Sequence, residues 1–336
     1  MAVFSTTKQF RVLLREPVSP SADALEAAAA RNMQLTKPPR ALGGLEDLAI
    51  WYAGWRGTDK PRISAPQVLV FAGNHGVAAR GVSAFPPEVT EQMVLNFANG
   101  GAAINQLADT FGARLDVHPI ALDQPTADFT QEAALSESDM VEALRIGWDA
   151  VSSTADVLVV GEMGIGNTTS AAALANACFG GAAEDWVGRG TGVDDAGLAN
   201  KVRVVEEGVS RHAAATDGLE ILQALGGREL AAIAGAIVRA RHLRIPVVLD
   251  GFICCAAAAC LYRTEPSALD HCVAGHLSAE NAHARLLEKL DKKPLLSLGL
   301  RLGEASGGTL ALGVLQGAVA CLSGMATFAE AGVSDG

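Results

Sequence analysis

Aromatic residues make up only 5% of the 336-residue chain. Beside 49% apolar residues and 36 glycines, that scarcity is the balance of a tightly packed helix-on-sheet enzyme and excludes a disordered chain. No five-residue Lys/Arg cluster occurs, and the formal net charge of −11 opposes a general attraction to nucleic acid or to an anionic membrane surface. The longest uninterrupted apolar run, FICCAAAACLY from Phe252 to Tyr262, falls far short of the ~20 residues that span a bilayer. A basic-then-apolar export signal is missing at the N-terminus, so the expected location is the cytoplasm. The six cysteines form no C-x-x-C pair and no His-spaced set of zinc ligands; they read as free thiols used as small apolar residues, with no metal expected.

What the chain does contain is a repeated unit: a short β-branched strand, a glycine-bearing loop, then an Ala-rich helical pattern. Strands are expected in QVLVFAGNHGV (Gln67 to Val77), at Leu115 to Ile120, at Val157 to Val160, at Val247 to Leu249 and again from His271. Helices are expected from about Asn167 and over Pro87 to Phe97, Asp194 to Arg211, Arg228 to Leu243 and Ser278 to Leu290. The fold class is therefore α/β, a doubly wound, mainly parallel sheet. The segments up to about Leu35 and from about Leu310 read as strand-free Ala-rich helices. They predict a small helical domain (1–35 plus 310–336) beside a large α/β domain (36–309).

Ligands of such sheets bind outside the carboxyl ends of the strands, which directs attention to the loops GNHGV, GEMGIGNTT, LDGF, GHLSAEN and LGEASGG. In GEMGIGNTT, Gly161, Gly164 and Gly166 let the backbone turn closely before a helix whose first N–H groups are unpaired. That pattern fits a phosphate and fits a plain strand-to-helix turn equally well. Its spacing is neither a P-loop nor G-x-G-x-x-G, so neither ATP nor NAD follows. GRGTGVDDAGLANK adds a second glycine loop. Its aspartates have the character of helix caps, while Lys201, Arg189 and Arg301 are either solvated surface or the local positive charge that an anion needs in an acidic protein. His75, beyond a strand end, has a catalytic reading and a structural one, as a hydrogen-bonding histidine. Ser83 and Gln92 can supply polar contacts, and Ser83 can also simply shape the turn before Pro86. Glu304, ahead of a long apolar helix, has two readings as well: a helix-end charge stabilised by the dipole, or a reacting carboxylate.

Seven ordered segments, LTKPPRALGGLEDLA, HGVAARGVSAFPPEVTEQMVLNFANGGAAINQLA, GEMGIGNTTSAAAL, GRGTGVDDAGLANK, VVLDGF, LGLRLGEASGGTLAL and MATFAEAGVS, cover almost the whole chain. Together they resemble the nicotinate-nucleotide–dimethylbenzimidazole phosphoribosyltransferase (CobT) family. The resemblance implies transfer of a phosphoribosyl group from nicotinate mononucleotide to 5,6-dimethylbenzimidazole without a cofactor or metal. It also implies a Rossmann-like sheet with a small helical domain from both termini, and a homodimer whose site the neighbouring subunit completes. Carried over by motif, Glu304 is the catalytic carboxylate and Glu162 a second active-site carboxylate. Gly164, Gly166, Asn167, Thr168 and Lys201 hold phosphate; Ser83 and Gln92 face the base; Met163, Leu302 and Gly303 form walls. Many relatives read DHGV where this chain reads NHGV, so Asn74 stands in place of a carboxylate. Two other readings compete: a nucleoside phosphorylase-like glycosyl transferase using inorganic phosphate, and a noncatalytic nucleotide-binding protein.

Overall fold

A computed structural model describes residues 3–334. Helices α1 (Thr7–Arg15), α2 (Ala22–Gln34) and α3 (Gly44–Arg56) precede β1 (Pro66–Ala72). Then α4 (Glu88–Ala98) and α5 (Ala103–Thr110) lead to β2 (Arg114–Pro119), and α6 (Glu137–Ala150) leads to β3 (Val157–Met163). Four helices, α7 (Asn167–Phe179), α8 (Asp195–Arg211), α9 (Gly218–Leu225) and α10 (Arg228–His242), separate β3 from β4 (Val247–Leu249). The chain continues through α11 (Phe252–Thr264), β5 (Cys272–His276), α12 (His283–Lys289), β6 (Pro294–Leu296), α13 (Ser306–Gly324) and α14 (Phe328–Ala331).

The strands form one sheet in the order β2-β1-β3-β4-β5-β6, parallel at every pairing. Along the central strands successive side chains enter opposite cores. Leu158 and Val160 pack with α6, α7, α10 and α11, whereas Val157 and Val159 pack with α3, α5 and α13. Both faces are covered, which is why these strands read as continuous apolar runs. The chain leaves β1 toward β2 on one side and returns to β3 on the other. The topological switch point thus lies between β1 and β3, with the crevice at their carboxyl ends.

Expected and observed elements differ most at residues 278–282, which form a loop ahead of α12 instead of its first turn. The loop is held by other contacts: Ser278 N–H donates to His283 Nδ1 (2.9 Å) and Ala279 N–H to the Leu300 carbonyl (2.8 Å), which ties it to the segment after β6. The C-terminal helix also starts earlier than Leu310, at Ser306. It has the length and mean hydropathy (1.4) of a membrane span, yet half of that window is buried inside the protein.

The segments at the ends of α2 and α13 meet. Leu35 pairs with Thr327 in an antiparallel bridge, and Arg31 donates to the carbonyls of Leu322 (3.0 Å) and Met325 (2.8 Å). We propose these segments, 1–35 and 310–336, as the small helical domain beside 36–309. Its core is continuous with the sheet, because Ala28 and Leu35 share a cluster with Leu312, Leu315 and Val159.

Candidate active site

The carboxyl ends of β3, β4 and β5 and the segment entering α13 enclose a cavity of about 270 Å³. Seven residues expected from the sequence line it together: Glu162, Met163, Gly164, Asn167, Thr168, Leu302 and Gly303. Glu304 follows directly behind this wall and is 5% exposed. Lys201 stands behind Thr168, where its Nζ donates to Thr168 Oγ1 at 2.9 Å. Gly166 does not line the cavity. With φ +94° it makes the left-handed turn into α7, packed on Ala78 and His75.

Ser83 and Gln92 do not line it either. Ser83 Oγ lies 3.3 Å from Thr191 Oγ1, and Gln92 is exposed on α4. Their segment reaches the site through Phe85, which lines the cavity, and through Thr90, whose Oγ1 accepts the Ile165 N–H at 3.2 Å. Asn74 is also outside, donating to the Leu122 carbonyl at 2.9 Å, a bond that an ionised aspartate could not make.

Local backbone shape explains how Glu304 arrives at this place. Residues 303, 304 and 305 are all left-handed (φ +82°, +61° and +61°), a conformation that costs about 1–3 kcal/mol at a non-glycine residue unless its surroundings hold it. Here Ala305 is jammed against Gly161 of β3, where any Cβ would lie 2.7 Å from the Ala305 Cα. Gly303 likewise clears space for Glu162, whose Oε1 would meet a Cβ at 2.5 Å. The turn therefore sets the Glu304 carboxyl beside the end of β3.

Three buried carboxyls converge there: Glu162, Asp250 and Glu304. Burial, then the charges of Asp250 and Glu229, push Glu162 up to about 8, while the hydrogen bond from Asn167 Nδ2 opposes the rise. Glu304 goes up to about 7, by burial first and Asp250 second. The helix dipole, which would hold a carboxylate low, is thus outweighed by desolvation. Both carboxyls are thus harder to ionise than an ordinary glutamate, for the same reason: burial beside other negative charge. Asp250 Oδ1 accepts the Gly308 N–H at 2.7 Å.

Positive charge comes from one side. Burial lowers the Lys201 ammonium to about 8, against the pull of Glu280, and among the described residues it has no carboxylate within ion-pair distance. Arg301 lines the cavity and extends toward the Gly190 carbonyl (3.5 Å).

Sequence reasoning did not single out His276, Ser278 or Asp250, although LDGF and GHLSAEN marked their strand ends. His276 Nε2 lies 3.4 Å from Asp250 Oδ1. Both His276 ring nitrogens, Ser278 Oγ and Asp250 Oδ2 are buried without hydrogen bonds from other described residues. His276 and Ser278 belong to the cavity wall, which thereby offers polar groups to a hydroxyl-bearing ligand. The cysteines take no part: Cys254, Cys255, Cys260 and Cys272 are buried, with thiols pushed up by burial.

A family model described as "Phosphoribosyltransferase" matches residues 18–333. The nicotinate-nucleotide–dimethylbenzimidazole phosphoribosyltransferase of Roseobacter denitrificans is 72% identical to this chain, covering 100% of it and 99% of the relative. The protein of the same name from Mesorhizobium japonicum is 56% identical, with 99% of each covered. Among solved structures, CobT from Thermus thermophilus superposes with a TM-score of 0.88 at 42% identity, over 94% of this chain and 100% of that one.

The raised carboxyl acidity constants carry a testable sign. Glu162 holds its proton up to about 8 when folded, against 4.5 for an ordinary glutamate, so between these values the native state binds more protons than the unfolded chain. Its contribution to stability therefore falls as pH rises through that window. Glu162→Gln removes this dependence. Its unfolding free energy relative to wild type should increase steadily from about pH 5 to about pH 8 in urea titrations. Buried His271 and His283, lowered to about 3 and about 4, act in the opposite sense below 6.5, and the subtraction cancels them. A flat difference across the window would show that Glu162 is ionised throughout.

Proposed function

This chain is a member of the nicotinate-nucleotide–dimethylbenzimidazole phosphoribosyltransferase family, and from that premise we propose how its cavity transfers a phosphoribosyl group from nicotinate mononucleotide to 5,6-dimethylbenzimidazole. The products are α-ribazole 5′-phosphate and nicotinate. The observation that carries the residue assignment is the gathering of three buried ionisable groups at one cavity, Glu162 in its wall, Glu304 directly after that wall in the chain and Lys201 behind Thr168.

In this reading the α7 N-terminus and Lys201 hold the 5′-phosphate. The Thr168 N–H in the first turn donates to it, and the ammonium supplies a charge-assisted contact through or beside Thr168. The ribose then lies over the ends of β3 to β5, with C1′ near Glu162 and Glu304. A ring nitrogen of dimethylbenzimidazole attacks C1′ as the bond to the pyridinium nitrogen breaks. The bond electrons go to the departing ring, which leaves as neutral-ring nicotinate. Positive charge grows on the imidazole ring, and its N–H proton passes to the Glu304 carboxylate. A base with a pKa near 7 suits that transfer, and a carboxylate at this place stabilises positive charge at C1′ before accepting the proton. Glu162, kept neutral, donates a hydrogen bond without adding a third full negative charge.

The proposal includes a cytoplasmic homodimer. Phe85 and Leu302, at the cavity mouth, are 52% and 57% exposed and are suited to being covered by a partner subunit.

Three outcomes are expected. Glu304→Gln should fold, keep its affinity for nicotinate mononucleotide and lose roughly 10²–10⁴ of its turnover in single-turnover assays. A folded variant with near-wild-type turnover would remove Glu304 from the proton transfer. Lys201→Ala should raise the KM for nicotinate mononucleotide roughly 10–150-fold, the equivalent of a 1.5–3 kcal/mol charged hydrogen bond, while the KM for dimethylbenzimidazole stays within about twofold. Equal effects on both substrates would overturn the phosphate assignment. Sedimentation equilibrium should give about twice the chain mass, and a fully active monomer would contradict the dimer.

A further inference from the structure

A second group of titratable side chains sits outside the cavity, beneath the loop that follows β3. His75 Nε2 is 2.6 Å from Glu229 Oε1, and His75 Nδ1 is 3.0 Å from Ser170 Oγ; all three residues are buried and none lines the cavity. One ring nitrogen thus meets a carboxylate oxygen and the other a hydroxyl. The ring is thereby held at both nitrogens.

Three separate elements close on this ring: the loop after β1, the first turns of α7 and the start of α10. Their backbones come close because the residues at the contact have no Cβ. A Cβ on Gly73 would lie 2.6 Å from Glu229 Oε2, and one on Gly227 would lie 2.8 Å from His75 Nε2. Gly73 also donates its N–H to the Met163 carbonyl at 3.0 Å, which ties the end of β1 to the end of β3. Ser170 is one turn along α7 from Asn167, on the same side of the helix, and Asn167 is the donor to Glu162. A continuous path runs from Glu229 through His75 and Ser170 to the Asn167–Thr168 turn, which contacts Glu162 on one side and Lys201 on the other.

We propose that Ser170, His75 and Glu229 form a positioning triad that holds the Gly161–Thr168 loop in its nucleotide-binding shape, His75 acting through Ser170 without touching substrate. The placement of the loop follows from the geometry alone; its consequence for nicotinate mononucleotide rests on the function proposed above. Loss of the ring should free the α7 N-terminus, so the nucleotide suffers and the attacking base does not.

The test compares His75→Ala with His75→Asn, since asparagine places an amide atom near the Nδ1 position and restores a hydrogen-bond partner for Ser170 Oγ. Amide hydrogen exchange on the ligand-free protein reads loop order directly. In His75→Ala, exchange over residues 161–168 should quicken about tenfold, as expected for one buried hydrogen bond lost, while α6 and α13 keep wild-type rates. The KM for nicotinate mononucleotide should rise by a similar factor and that for dimethylbenzimidazole should stay within about twofold. His75→Asn should recover most of both effects. Wild-type exchange in the loop of folded His75→Ala, acceleration spread evenly over the chain, or a parallel rise in both KM values would overturn the triad. If His75→Ala does not fold, Ser170→Ala, in which helix propensity improves, replaces it and should show the same loop-restricted change. A wild-type protein that fails to turn over dimethylbenzimidazole would sink the proposed function, and the exchange pattern would still decide the triad.

Discussion

Desolvation of negative charge at the carboxyl edge of the sheet is the constraint around which the rest of the site is arranged. Glu162, Asp250 and Glu304 are all buried, and like charges in such a setting cannot all stay ionised. The protein meets the difficulty in three ways. The Gly308 N–H at the start of α13 bonds one oxygen of Asp250, the Asn167 amide bonds Glu162, and the raised pKa values of Glu162 and Glu304 favour their neutral forms. Each unit of raised pKa represents about 1.4 kcal/mol held against ionisation. In the proposed mechanism, positive charge developing at C1′ and on the imidazole ring offsets that penalty, so the interaction strengthens in the transition state.

Lys201 is the complement of this arrangement. An ammonium buried without a carboxylate partner among the described residues has its charged form disfavoured, and its pKa falls to about 8. A phosphate placed against it restores the charge. A molecule that carries both a phosphate and a cationic reacting centre complements both kinds of buried charge.

The topology explains why the cavity is here. At the switch point, β1 and β3 send their chains apart and open a crevice that the loops after β1, β3, β4 and β5 surround. The ends of β1 and β3 are joined by the Gly73–Met163 hydrogen bond, and the left-handed run at 303–305 presses α13 onto β3 at Gly161. Small residues at these contacts let the backbone come within a distance that ordinary side chains would prevent.

The β3–α7 unit was legible in the sequence because an apolar run, three glycines and an Ala-rich helix follow one another without interruption, and its expected limits agree with the structure to within a few residues at the strand end. The β4 limits agree outright, since β-branched residues are bounded by Pro246 and Asp250. Less could be read where tertiary contacts override local pattern. Residues 278–282 carry helical spacing, but their donors go to His283 and Leu300. Strand β6 is three half-buried residues at the sheet edge, too short to carry an alternation. The sequence by itself determined the doubly wound class, the glycine loops at strand ends and, through its resemblance to a family, the candidacy of Glu304, Glu162 and Lys201, because these depend on composition and on order along the chain. Only the tertiary structure decided that Asp250, His276 and Ser278 join them, that Ser83 and Gln92 stand off the cavity of the same chain, and that Glu304 is raised instead of lowered. Burial and proximity between distant segments set those properties, and neither has a local signature in the sequence.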